Sequence, residues 1–287
     1  MRGPPGDRSA DELLEFGVVN LDKPPGPSAH QVAAWVRDMA GVDRAAHAGT
    51  LDPKVTGCLP MLLGDATRIA QVFDDSVKEY VSVLELHGPA PADLPATVAE
   101  FEGEIYQKPP KKSAVVRRLR VREIHDLDVL EVEERRALLR IRCESGTYIR
   151  KLCHDIGLAL GTGAHMGDLR RVGTEPFDDT DLVNLQEFAD ALAWAEDRDT
   201  DPLADVVKPA ERVLVDLPRV TIAQSAAREV AEGAPVYAPG VLEVDDAEEG
   251  GLVVCYTPDG AAVCLGYLVG DSEAESGTVV DLERVLV

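Results

Sequence analysis

The sequence predicts an α+β fold: a mixed, largely antiparallel sheet with flanking helices, followed by a small β-barrel-like module. Three observations carry this reading. Helical and strand-like stretches interrupt one another without the strict alternation of a parallel α/β sheet. After about Leu217 the texture changes to short strand-like runs separated by Gly, Pro and acidic turns. The 287 residues exceed one small domain and fit a larger domain plus a module. We therefore expect a catalytic unit over 1–210 and a terminal unit over 211–287. The linker, Thr200 to Pro209, carries Asp201-Pro202 and Lys208-Pro209.

The elements follow in order. Phe16 to Leu21 reads as a short buried strand ending at the stiff turn Asp22-Lys23-Pro24-Pro25-Gly26-Pro27. Ser28 can cap a helix to about Ala40, stopped by Gly41, with Val32, Trp35, Val36 and Met39 at helical spacing. His47 to Pro53 is too rich in Gly and Pro for regular structure. Gly57 to Leu63 is apolar enough for a buried strand, and Asp65 opens a helix to about Phe73. Strands are expected at Lys78–Leu86, Lys112–Val116, Val121–Glu131 and Ala137–Cys143, and helices at Pro95–Phe101, Thr147–Leu160 and Leu185–Trp194. The terminal module reads as a short helix, Ala223–Ala231, then strands at Leu252–Tyr256, Ala262–Leu268 and Val279–Val287.

Composition narrows the class. No run of about 18 apolar residues is present, so no helical span is expected. The first fifteen residues are polar and acidic, without an apolar signal core. Five cysteines without CxxC spacing argue against a disulfide framework and for a reducing cytoplasm. The net charge is −23, from 29 basic and 52 acidic residues. Only 8 of the basic residues are Lys, and Asp (28) outnumbers Glu (24), a pattern expected of a salt-adapted cytoplasm. At molar salt the Debye length is about 3 Å, so net charge does not exclude a nucleic-acid partner. Basic residues cluster at Lys108–Arg122, at Arg140, Arg142, Arg150 and Lys151, and at Arg170-Arg171. Three such clusters on so acidic a chain favour a polyanion groove over solvated faces.

Asp52 is the leading candidate for chemistry. Gly49 permits a tight backbone path, and Pro53 biases Asp52 toward an extended conformation. That presents one carboxylate on a rigid loop as nucleophile or general base, against the plainer reading of an Asp-Pro turn. Arg150, on the first helical turn after Gly146-Thr147-Tyr148-Ile149, is the best partner to keep it ionised. Tyr80 reads either as core or as a base-stacking platform. The six histidines are scattered, and no nucleotide-binding glycine loop is present, so no metal and no cofactor is expected.

These residues resemble the TruB-type pseudouridine synthases, and within them the dyskerin-like catalytic subunits of box H/ACA ribonucleoproteins. The resemblance rests on Asn20–Gly26 (NLDKPPG), His47–Leu59 (HAGTLDPKVTGCL), Tyr106–Glu123 and Arg142–Val172, which contains GTYIRKLCHDIG. Val215–Val287, with GAPVYAPGV, resembles the PUA module that ends those proteins. The resemblance extends over nearly the whole chain and leans to the archaeal branch. It implies that Asp52 is the catalytic aspartate, that Tyr80 stacks on the target uracil, and that Arg150 pairs with Asp52. It places Tyr148 and Leu169 in the pocket, His47 and Thr50 against opened RNA, and Lys23 beneath the active-site loop. Lys108–Arg122 would lie near or in a thumb that closes over RNA. The implied partners are H/ACA guide RNA, substrate rRNA and tRNA, and the accessory proteins of the ribonucleoprotein. One departure stands out: from Leu217 onward there are three Arg, no Lys and thirteen acids, where a guide-binding module would show a basic face.

Overall fold

The computed structural model describes residues 2–109, 116, 118–197 and 200–287. The first part of the chain runs α1 (Ala10–Glu15), β1 (Gly17–Lys23), α2 (Ala29–Ala40), β2 (Ala45–His47) and β3 (Thr56–Leu63), then a 3₁₀ stretch (Gly64–Phe73) and β4 (Lys78–Leu86). It continues with α3 (Leu94–Ala99), β5 (Gly103–Gln107), β6 (Arg120–Val132), β7 (Arg136–Cys143), α4 (Ile149–Ala159), β8 (Ala164–Thr174) and β9 (Phe177–Asp178). Then come α5 (Leu185–Glu196), α6 (Asp201–Val206), β10 (Lys208–Pro209) and a 3₁₀ turn (Ala210–Leu214). The last part is β11 (Arg219–Ile222), α7 (Gln224–Ala231), β12 (Val236–Tyr237), β13 (Val241–Val244), β14 (Leu252–Tyr256), β15 (Ala262–Leu268) and β16 (Thr278–Val285).

Ten strands form one sheet with the path β10-β1-β3-β8-β4-β7-β6-β5, with β2 on β3 and β9 on β8. All its strand pairings are antiparallel except β3 with β8. That parallel contact is short, joining Thr56 to Arg170 and Gly57 to Arg171. The sheet is therefore two antiparallel halves meeting at a narrow seam. Each half has its own core. One, built on Val19, Leu21, Leu59 and Met61, is covered by α2, α5 and α6 through Val32, Val36, Phe188 and Leu203. The other packs Leu84, Leu139 and Ile141 against α3 and α4 through Leu94, Val98, Leu152 and Ile156. The six-stranded second sheet, β12-β16-β15-β14-β11-β13, curls barrel-like around a core that includes Ala227 and Val230 of α7.

The local chemistry explains most elements. Ser28 and Gln31 form a reciprocal capping box at the start of α2, and Gly41 ends it in the left-handed region at φ 64°. Along β4, alternate residues Lys78, Ser82, Leu84 and Leu86 are buried, the period of a strand with one covered face.

Several expectations need correction. Gly64–Phe73 winds as a 3₁₀ helix rather than an α-helix. The strand expected at Lys112–Val116 lies outside the described residues except for Val116, which is in no strand. The segment expected to be a linker is helix α6 followed by β10, which pairs with β1 at Gly17 and Val18. It is absorbed because Leu203, Val207 and Ala210 are apolar and fully buried. The strand β8 was not anticipated, although it lies at the centre of the sheet. Its sequence, AHMGDLRRVGT, has two glycines and two arginines and lacks the apolar alternation that marks a strand.

The two sheets share a core. Phe16, Val18 and Leu62 pack in one cluster with Val254, Tyr256, Leu265 and Leu286. Arg8, with a side chain 1% exposed, grips both carboxylate oxygens of Glu211 at 2.7 and 2.6 Å. The backbone N–H of Ala262 donates to the same carboxylate at 3.1 Å.

Candidate active site

The segment from Ala48 to Val55 connects β2 to β3 at the seam. Leu51 and Val55 are buried and hold it down, while Asp52 stands out of it. The Val55 N–H donates to the Asp52 carbonyl at 3.0 Å, closing a turn around Pro53. Lys23, at the end of β1, is fully buried beneath this turn. Its ammonium donates to the carbonyls of Pro24, Pro53 and Val55 at 2.9, 3.2 and 2.8 Å. Burial lowers the Lys23 pKa, and the Asp52 charge opposes that shift. The expected supporting role of Lys23 thus has a geometric basis: three donors, each used on backbone of this loop or its approach.

Arg150 enters from the other half. Gly146, at φ 76°, makes the turn before α4. Gln107 then brackets the helix start, accepting from the Tyr148 N–H at 2.9 Å and donating to the Tyr148 carbonyl at 3.2 Å. Two residues on, Arg150 Nη2 donates to Asp52 Oδ2. The two side chains are 54% and 55% exposed, so water screens the pair in the free protein.

Tyr80 and Leu169 stand on neighbouring strands. Tyr80 lies opposite Arg171 and Leu169 opposite Ser82 in the β4–β8 register. Both are half-buried, and both pack against the cores of the two halves. Burial raises the pKa of the Tyr80 phenol, opposed by the charge and a hydrogen bond of Arg171. His47 faces Met61 across the β2–β3 pair and meets the His30 ring edge-on at 6.4 Å. Burial first, then Arg171 and His30, lower the His47 pKa, so its ring stays neutral at pH 7. Thr50 is exposed on the loop beside Asp52.

The structure joins Asp52 to Arg150 and Lys23 to the loop. It sets Tyr80 and Leu169 where the two cores meet, and Tyr148 at the start of the helix that carries Arg150. Two grooves of about 560 and 510 Å³ lie elsewhere, beside Glu175–Asp178 and beside Pro209–Arg212. The Asp52 site is an open face. Among the described residues no group of three or more His, Cys, Asp or Glu is placed to hold a metal ion.

Among the described residues, several members of the basic clusters pair with carboxylates. Arg140 pairs with Glu79, Arg142 with Glu175 at 2.7 Å, Lys151 with Asp155, and Arg170 with Asp22 through both carboxylate oxygens at 2.9 and 3.0 Å. These paired side chains remain partly exposed to solvent. Arg171 is 1% exposed and unavailable to a polyanion. Of the Lys108–Arg122 run, residues 110–115 and 117 lie outside the described residues.

Sequence reasoning missed three structural groups at this site. Arg171 donates to the carbonyls of Cys58 at 2.7 Å, Ala48 at 3.0 Å and Gly49 at 3.4 Å. Lys78, also buried, donates to the carbonyls of Phe73 at 3.0 Å and Ser76 at 2.9 Å, and burial pulls its pKa down to about 8. Gln107 brackets Tyr148. For Lys78 a signal existed: it shares the strand period of Ser82 and Leu84 and so faces the core.

The chain matches known proteins along its whole length. The model of the TruB family pseudouridylate synthase N-terminal domain matches residues 37–94 and 88–149. The tRNA pseudouridylate synthase B C-terminal domain matches 150–215, the PUA domain 218–286 and the DKCLD (NUC011) domain 3–33. A probable tRNA pseudouridine synthase B of Haloarcula marismortui is 67% identical over 100% of this chain and 94% of its own length. Its counterpart in Halobacterium salinarum strain R1 is 65% identical over 100% and 99%. A chain in the crystal structure of a Cbf5-Nop10-Gar1 complex superposes with a TM-score of 0.93 at 42% identity, covering 100% of this chain and 89% of that one. A chain from an H/ACA RNP bound to a substrate RNA containing 2′-deoxyuridine gives 0.91 at 41% identity, covering 99% and 89%. The chain belongs to the TruB family of pseudouridylate synthases and is an RNA uridine isomerase with a C-terminal PUA domain.

Proposed function

We propose that this enzyme works in an H/ACA-type ribonucleoprotein, converting uridines chosen by a guide RNA, with Asp52 as its catalytic group. The observation that carries the guided reading is the superposition on a chain from an H/ACA ribonucleoprotein over 99% of this chain, terminal module included. A target uridine hides its glycosidic bond inside folded RNA, so the nucleotide is extruded at a cost of a few kcal/mol. Stacking on Tyr80 returns roughly 1–3 kcal/mol. Tyr148 and Leu169 line the pocket, while His47 and Thr50 hold the opened RNA. Asp52 then promotes cleavage of the bond from the sugar carbon to the ring nitrogen. The uracil turns, a carbon–carbon bond forms in its place, the proton on that ring carbon leaves, and the freed ring nitrogen takes up a proton. Arg150 pairs with Asp52, and RNA covering the site strips the water that screens the pair.

A second reading has its own observation: the relatives at 67% and 65% identity are described as probable tRNA synthases. The test is turnover by the full-length protein at molar KCl, with and without guide RNA and accessory proteins, on ribosomal-RNA fragments and on tRNA. Guide-dependent conversion of the fragments supports the ribonucleoprotein reading. Equal conversion without a guide leaves the stand-alone tRNA enzyme in its place.

A further inference from the structure

The active site is assembled across the short parallel join between the two halves of the sheet. Asp52 belongs to the half built on β1, β2 and β3. Tyr80, Leu169 and Arg150 belong to the half built on β8, β4 and β7. Between the halves, only two residue pairs connect β3 to β8. Lys23 anchors the Asp52 loop, but from β1, within the same half. It fixes the loop's shape and not its distance from Tyr80. The Asp52–Arg150 pair does cross the seam, yet both side chains are half-exposed. The Arg170–Asp22 clasp also crosses it, but holds β1 rather than the loop.

One buried group connects the loop itself to the opposite half. Arg171 leaves β8, on which it stands opposite Tyr80. Its guanidinium donates to Cys58 of β3 and to Ala48 and Gly49 at the start of the Asp52 loop. No carboxylate lies within 4 Å of it among the described residues; it donates to three backbone carbonyls and hydrogen-bonds the Tyr80 phenol, an arrangement that a planar fork of donors suits and a single ammonium does not. Two glycines make room. At Gly57, φ 99°, a Cβ would fall 2.1 Å from the Arg171 carbonyl. At Gly49, φ 77°, it would fall 3.3 Å from Arg171 Nη1.

We propose that Arg171 is a positioning residue: it sets where Asp52 stands relative to Tyr80 and Arg150 by holding the start of the Asp52 loop across the seam. This rests on Asp52 being the catalytic group. The test uses full-length Arg171→Lys, Gly49→Ala and Asp52→Asn proteins with accessory proteins and an RNA that the wild type converts. Single-turnover rate at saturating RNA, RNA affinity and hydrogen exchange are measured. Arg171→Lys and Gly49→Ala are expected to lose at least about tenfold in rate, since misplacement of about 1 Å can cost a hundredfold. RNA affinity should hold, and exchange should quicken in residues 49–55 while β4 and β7 stay protected. Wild-type rate in either folded variant overturns the proposal. So does a loss matched by weaker RNA binding or by faster exchange across the whole sheet. If Arg171→Lys does not fold, Gly49→Ala decides, because it leaves the guanidinium in place and disturbs its grip from the loop side. Turnover by Asp52→Asn would instead overturn the site reading. An inactive Asp52→Asn beside two fully active variants would remove the positioning role alone.

Discussion

Asp52 and Arg150 meet in the open, which separates their value to the fold from their value to the reaction. An exposed pair contributes at most about 1 kcal/mol to stability. Arg150→Lys should therefore leave the unfolding midpoint nearly unchanged in a thermal melt. It should still lower single-turnover rate by about tenfold or more, because Lys lacks the planar fork. Asp52→Asn should abolish conversion with RNA binding intact, and residual turnover above a few per cent would remove Asp52 from the centre of the chemistry. Lys78 makes the opposite case, a buried cation whose cost is felt by the fold. Its pKa is pulled from 10.5 to about 8 by burial. Between those values the unfolded chain holds the extra proton, so stability from this group rises with pH. The buried thiols act in the other direction above pH 9, since burial pushes Cys58 to about 11 and Cys143 to about 12. Denaturant titrations of wild type and Lys78→Met from pH 7 to 10 should show a rising contribution from about pH 8 in the wild type alone. Parallel curves would refute it.

At the scale of elements, the seam between β3 and β8 sets the tolerance for change. Gly57 sits in it with φ 99°, where an added Cβ meets backbone rather than a movable side chain. Gly57→Ala should destabilise by about 2–3 kcal/mol through backbone strain and steric conflict, read as a lower denaturant midpoint. A change under about 0.5 kcal/mol would mean that the seam relaxes freely. The α2 cap is milder. Ser28→Ala removes one half of a capping box and should cost about 1 kcal/mol. Both elements were visible in the primary structure, one as a Ser before a periodic apolar run, the other as a Gly ahead of an apolar strand. β8 was not visible, because its buried positions carry Ala164, Arg171, Gly173 and Thr174 rather than the branched apolar residues that announce a strand.

The whole molecule combines a shared core with a large negative charge. The cluster joining Phe16 and Val18 to Val254 and Leu265, with Arg8 on Glu211, makes the terminal sheet part of the fold. Removing Leu217–Val287 would uncover that cluster, so a truncated chain should melt earlier as well as bind guide RNA less tightly. With 52 acids against 29 bases, self-repulsion is unscreened at low salt. The unfolding temperature should rise between about 0.1 M and molar KCl, in keeping with the halophilic relatives. A flat or falling curve would count against salt adaptation.

The amino-acid sequence by itself determined the α+β class, the capped helix α2, strands β4 and β7, the strand-rich terminal module, and Asp52 and Arg150 as candidate residues. These are local properties: periodicity, caps, turn residues, and two motifs whose residues stand together on one loop and one helical turn. Only the tertiary structure decided what depends on contacts between distant segments. It turned the expected linker into a strand on β1, because apolar residues there found a core to enter. It paired Arg140, Arg142, Lys151 and Arg170 with carboxylates, because a basic residue on an acidic chain meets acidic neighbours in space. It buried Arg171 beneath the active-site loop and Lys78 under the turn before β4, because backbone carbonyls that no local pattern reveals converge there to accept their hydrogen bonds.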